Sequence, residues 1–303
     1  MTHTSLANLP HHALVDQVRS APLVWVPVNP VEYHGPHLPL RTDHLQARAW
    51  IDVLHRELGL PGAPAVWPDL EVGVDPTHGP GTRASSYGEV RDAALRAVEG
   101  LHALGARAVA LTTFHGAPLH NLALAEAVRW CERRGLRAVA PFQEVTRVMG
   151  SQHPLFDEVA ALVPPEVRAE VRAGLTEDFH AGLLETSLML HWCPDSVSAV
   201  HKTLAPCGPV RPWAPLRWMS AGARGRLREE MRVAAYGLGW LELDPFPGYT
   251  GHPALATAEI GARFAHAVTS GVLPVLRDVL DHGRPAPAPP FGWVGPLSLW
   301  GRI

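Results

Sequence analysis

Apolar strand-like runs that alternate with amphipathic helical segments constrain this chain more than any other feature of its sequence. LVWVPV at 23–28 is a run of strand-forming residues. The segment 42–58 that follows carries apolar residues at Leu45, Ala49, Val53 and Leu54 and stops at Gly59. A weaker strand candidate lies at 65–67, a turn-rich loop containing THGPGTRASSYG fills 69–86, and a second amphipathic segment at 88–104 ends at Gly105. ARAVALTTF at 106–114 reads as a strand buried on both faces; a helix at 119–134 closed by Gly135 and a strand at 136–142 follow. Glycine just past the last periodic residue is a helix stop, and continuous apolar runs suit a sheet covered on both faces. The alternation predicts parallel βαβ units and an α/β fold. Right-handed crossovers then bring the carboxyl ends of the strands, and with them His34 and His115, to one edge of the sheet, where open α/β sheets keep their sites.

The flanking segments are less regular. Residues 11–20 predict a short helix, 142–177 a helical insertion whose PPEVRAEVRAGL portion is its most regular part, and 221–236 a helix. A long helix is expected from 254 with a break near Pro274. Residues 194–219, rich in proline and tryptophan, fit no period. The division expected is one domain over 1–285 and a Pro-rich tail over 286–303, a kind of tail that is usually flexible or packed on a neighbouring subunit.

VEYHGPHLPLRTDH at 31–44 gathers Glu32, His34, His37, Asp43 and His44 where the first strand ends. All are oxygen or imidazole donors for divalent cations, with no thiolate among them. If the backbone stays extended past Pro30, Glu32 and His34 project to the same face. Asp43 returns at the start of the next helix, with Thr42 as its expected cap. In DFHAGLLETSLML at 178–190, His180 and Glu185 are five apart and do not share a face of an ideal helix. They converge if His180 lies in the loop before the first turn, which Gly182 permits.

Composition narrows the function classes. With 47% hydrophobic and 18% charged residues the chain is globular, and a net charge of -3 offers neither a nucleic-acid footprint nor a membrane-surface patch. The three cysteines, Cys131, Cys193 and Cys207, form no zinc-ligand pair or disulfide framework and fit a reducing compartment. No secretory signal or membrane span is read, so a cytoplasmic setting is expected. There is no Gly-x-Ser-x-Gly elbow and no catalytic cysteine context.

Taken together, VEYHGPHLPLRTDH, TTFHGAP and DFHAGLLETSLML resemble the motifs of the creatininase family of metal-dependent amidohydrolases, supported by THGPGTRASS and GYTGHPALATAEIG, in order over about 23–261. The resemblance implies a three-layer αβα fold with a mostly parallel central sheet and a binuclear site. Glu32, His34, Asp43 and His115 fall on the family's metal-binding positions, Asp43 as the bridge; Glu185 is the fifth ligand, and His180 matches a position with a proton-transfer role. In part of the family a glutamate two residues after the third-motif histidine is a ligand instead. Here that position is Ala117, which throws the burden onto Glu185 and argues against creatinine as substrate. The donor set suits two divalent ions of zinc, manganese or iron, which would lower the pKa of a bound water and polarise an amide carbonyl.

The reading is therefore an amidohydrolase cleaving a C–N bond of a small cyclic amide or formamide. Alternatives are a peptide-trimming hydrolase in cofactor maturation and a non-catalytic metal-binding scaffold, the last motivated by the altered HGAP segment. A homo-oligomer, in relatives often a hexamer, is expected. His37 and His44 are read as orienting ligands by hydrogen bonds or as structural, His78, His120, His252 and Asp75 as loop residues of unassigned use, and Trp192, Trp213 and Trp218 as core or interface residues before pocket walls.

Overall fold

The computed structural model describes residues 4–148 and 153–302. Its centre is a five-stranded sheet of order β1-β3-β2-β4-β5, made of β1 (Thr4–Ser5), β2 (Val24–Pro27), β3 (Ala65–Val66), β4 (Ala108–Thr112) and β5 (Arg137–Val139). Every pairing is parallel, and Val24 to Pro27 lie in register with Val109 to Thr112. Side chains alternate across the sheet as the pleat requires. Leu23, Trp25, Ala108 and Ala110 face one apolar layer, which α2 (Thr42–Glu57), α8 (Leu183–Trp192) and α11 (Ala258–His282) complete. Val24, Val26, Val109 and Leu111 face the opposite layer of α1 (His11–Ser20), α3 (Tyr87–Leu104) and α4 (Pro118–Glu132). The result is the expected three-layer αβα arrangement.

Several local expectations change. The two-residue β1 was not anticipated, because two residues carry no period. Thr42 does not cap α2: it is the first helical residue, its hydroxyl donating to Pro39 O at 2.7 Å, and Arg41 holds the cap position without a side-chain bond. The insertion forms α5 (Phe142–Val148), α6 (Leu155–Leu162) and α7 (Arg168–Gly174), with 149–152 outside the described residues; α7 begins only after the paired prolines. α9 (Ala214–Gly222) and α10 (Gly225–Leu241) pack on each other.

α11 starts at Thr257, whose side chain accepts from Ile260 N, and runs through Pro274 unbroken. Pro274 and Ser270 are both exposed, so the carbonyl deprived of its donor meets water. The Pro-rich tail rests on its own chain. Ala286 N donates to Glu132 Oε1 at 2.9 Å, Trp293 Nε1 to Glu230 Oε2 at 3.0 Å, the short α12 (Val294–Leu297) lies on α4, and Trp300 packs 5.1 Å from Tyr87. No helix among the described residues is long and apolar enough to cross a membrane.

α11 crosses close over α8. A Cβ placed at Gly261 would lie 2.0 Å from Ser187 O, so only glycine permits the approach that seats α8 beneath the sheet edge. Gly261→Ala is expected to destabilise the protein by about 1–3 kcal/mol in urea unfolding, the usual cost of overpacking. Gly100→Ala on α3, where nothing lies within 4 Å, should be neutral or stabilising.

Candidate metal centre

Two strand ends are tied together before either reaches the site. Val28 N donates to Thr112 O at 2.8 Å, and Asn29 Oδ1 accepts from Phe114 N at 3.1 Å, so the segments carrying Glu32 and His115 leave the sheet side by side. Asp43 enters from the first turn of α2 and Glu185 from the first turn of α8. His180 lies in the loop ahead of α8, the position in which it and Glu185 converge.

With His34 these side chains form one cluster, buried except for the half-buried Glu185. His115 Nδ1 lies 2.9 Å from Glu32 Oε2 and 3.9 Å from Asp43 Oδ2. His34 Nε2 lies 3.6 Å from Asp43 Oδ1 and 3.8 Å from Glu185 Oε1. His180 Nδ1 is 3.8 Å from Glu32 Oε1. Donor atoms of Glu32, Asp43 and His115 lie within 4.8 Å of one another, as do those of His34, Asp43 and Glu185 and those of Glu32, His34 and His180. Asp43 belongs to the first two groups, one oxygen turned to each histidine.

Each imidazole has its outward nitrogen occupied. His34 Nδ1–H donates to Glu32 O at 3.0 Å, His115 Nε2–H to Val74 O at 2.8 Å, and His180 Nε2–H to Tyr33 O at 2.9 Å. A carbonyl only accepts, so these bonds fix the tautomers and turn the second nitrogen of every ring into the cluster. His34 Nε2 and Asp43 Oδ2 are buried with no hydrogen-bond partner, and Glu32 Oε2 faces the His115 ring nitrogen. Buried polar atoms are rarely left so, and convergent oxygen and imidazole donors of this kind fit divalent cations.

The electrostatics carry the same mark. Burial pulls His34 down, but Glu185 and Asp43 outweigh it and hold its pKa at about 10; burial likewise lowers His115, and Glu32 returns it to about 9. Against its own burial, Glu32 is held well below the usual carboxylate range by His115 and His180, whereas burial raises Asp43 despite His34. Burial pushes Glu185 up to about 7, opposed by His34. His180, desolvated and facing His34, falls to about 3 and is neutral. The carboxylates thus draw positive charge onto His34 and His115, which dications at the same donors would displace.

Several residues outside the candidate ligands support the cluster. Thr77 N donates to Glu32 Oε1 at 2.6 Å, and Asn121 Nδ2 donates to His115 O and Ala117 O at 3.0 and 3.1 Å, holding the HGAP turn from α4. Trp240 of α10 packs on the His180 ring at 5.3 Å and donates to Tyr249 O. The buried Asp178, its pKa raised by burial to about 6, accepts from Leu183 N, Leu184 N and the backbone of His252. A Cβ at Gly251, whose φ is +57°, would lie 2.0 Å from Asp178 Oδ2, which explains the glycine of GYTGHP.

The remaining singled-out residues serve locally. His37 Nε2 donates to Thr186 Oγ1 at 2.8 Å and ties the first motif to α8; His44 pairs with Asp69 at 3.1 Å on the surface. His120 is not a loop residue but a buried one on α4, 3.2 Å from Val28 O, while His78 stacks on Phe246 and His252 meets Glu170. Trp192 packs edge-on to Phe114, and Trp213 and Trp218 are exposed. If the cluster is a cation site, zinc or manganese at about a hundredfold its Kd adds roughly 2.7 kcal/mol of stability. Thermal unfolding should show this as a rise in Tm that Asp43→Ala abolishes.

The family model described as Creatininase: Creatinine amidohydrolase matches residues 8–276. No curated protein sequence matches the chain. Among solved structures it is similar to one named Creatininase Mn, at 19% identity and TM-score 0.60 over 91% of this chain and 98% of that one. It is also similar to a creatinine amidohydrolase (creatininase), at 18% and 0.60 over 92% and 98%, and to a tryptophan-to-phenylalanine mutant creatininase, at 20% and 0.62 over 90% and 98%. These likenesses share the fold described above, and the family match spans most of the sequence. The chain belongs to the creatininase family, whose members are metal-dependent amidohydrolases.

Proposed function

We propose that this protein hydrolyses a non-peptide C–N bond, in a cyclic amide, formamide or related small molecule, at a site holding two divalent cations. The observation that carries the reading is Asp43, buried and without a hydrogen bond at Oδ2, with one oxygen toward His34 and the other toward His115. Glu32, Asp43 and His115 would hold one ion, and His34, Asp43 and Glu185 the other. Zinc, manganese and iron all suit these donors. One related structure is named for manganese, and a mutant creatininase is described as Zn-Zn type. Ions bound there supply Lewis acidity, polarising an amide carbonyl and bringing the pKa of water toward neutrality.

The chain's own residues do the rest. His180 keeps its Nε2 proton on Tyr33 O, and its unprotonated Nδ1 faces Glu32 and the Thr77 hydroxyl, 3.5 Å away. In this reading that nitrogen takes a proton from the attacking water and returns it to the leaving nitrogen. The tilted His34 ring, its centroid 4.3 Å away, and Trp240 keep the imidazole from turning. A related mutant creatininase is described as complexed with creatine. Alanine at 117 argues for a different substrate here.

Elemental analysis of the purified protein together with a lactam and formamide screen tests the proposal. The expectation is about two ions per chain and turnover of at least one amide, with both lost in Asp43→Ala. His180→Ala should keep the metal and lose roughly 10²- to 10⁴-fold in kcat. A metal-free active enzyme, or an Asp43→Ala variant with full activity, would remove the reading.

A further inference from the structure

Asp75 stands beside the cluster without a part in the chemistry proposed above. The residue before it and the one two positions after it are pinned to the site: Val74 O accepts from His115 Nε2, and Thr77 N donates to Glu32 Oε1. Asp75 itself has φ +52°, a left-handed conformation that residues with a Cβ rarely adopt. The residue is exposed, yet enough protein surrounds the carboxyl to raise its pKa by burial, against the pull of His115. Among the described residues its carboxylate makes no hydrogen bond or ion pair.

A plain structural account competes with a functional one. Aspartate tolerates the left-handed region better than most residues, and it could stand here for that reason alone. Asparagine tolerates it as well and carries no charge. The backbone therefore does not ask for a carboxylate, so a charge held between two residues bonded to the cluster calls for another account.

Charge balance says what kind. Two dications against Glu32, Asp43 and Glu185 leave the loaded cluster positive, so a substrate bearing its own positive charge would be repelled unless an acid met that charge. Backbone strain at a residue bonded on both flanks to site residues is where recognition groups are commonly found. We propose that Asp75 is a specificity residue of the hydrolase site, receiving an amine, amidine or guanidine on the non-reacting part of the substrate, so that the preferred substrates are basic amides. The inference rests on the hydrolase reading and narrows its substrate class.

Matched pairs test it: a γ-lactam bearing an aminomethyl group against its ethyl isostere, and the corresponding pair of formamides. The wild-type enzyme should favour the ammonium member by about tenfold or more in kcat/KM, mainly through KM, the scale of one charge pair partly shielded from water. Asp75→Asn should bring the ratio close to unity while metal content and turnover of the neutral member stay unchanged. Asp75→Gly, which frees the backbone, should lose the preference equally. Hydrolysis of the neutral members as fast as the basic ones would overturn the proposal and leave the hydrolase reading standing, as would an Asp75→Asn variant that slows both members alike. Turnover of no member, with metal bound, would overturn both.

Discussion

Burying charged carboxylates beside imidazoles governs the architecture of this protein. Removing each ion from water costs several kcal/mol, and only close, well-oriented partners offset that cost. Glu32, Asp43 and Glu185 meet His34, His115 and His180 at the end of the sheet, with separations between 2.9 and 3.9 Å among those that face each other. No single element could assemble them. The parallel register of β2 and β4 aligns two of the contributing segments, the first turn of α2 supplies a third, and α8, seated by the glycine crossing of α11, supplies the last. Outward hydrogen bonds to Glu32 O, Val74 O and Tyr33 O then aim the rings. The orientation of the donors is thus written into backbone carbonyls of loops, which is why those loops are bound tightly to one another.

Much of this was legible in the sequence, for identifiable reasons. The buried strands are long enough to show continuous apolar runs, and the helices after them end on Gly59, Gly105 and Gly135, all with positive φ. Donors clustered at strand ends could be placed on one edge by handedness alone. The convergence of His180 with Glu185 followed from putting the histidine ahead of the helix, as Gly182 allows.

What escaped notice depended on tertiary context. β1 is too short for periodicity, Pro274 is tolerated because its side of α11 is solvated, and the tail binds through single hydrogen bonds to Glu132 and Glu230 that no pattern announces. His120 looked like part of a loop because the helix starts directly after HGA, at Pro118. Trp240 acts on the site from a segment without a motif, and Asp178, which opens DFHAGLLETSLML, acts through the backbone N–H groups of Leu183 and Leu184. Asn121, one helical turn on from the HGAP turn, bonds two of its carbonyls. Position 117 is an alanine, and Glu185 brings a carboxylate from α8 to within 3.8 Å of His34.

The account stands on the claim that the inward-facing nitrogens and carboxylate oxygens are cation donors rather than a self-sufficient ion-pair network. Anomalous diffraction from crystals grown with manganese or zinc, recorded on both sides of the metal's absorption edge, examines this most directly. The account predicts two peaks flanking Asp43, one shared with Glu32 and His115 and the other with His34 and Glu185. A map with no peak at the cluster, or with the ion elsewhere and His34 and His115 still paired to the carboxylates, would contradict it.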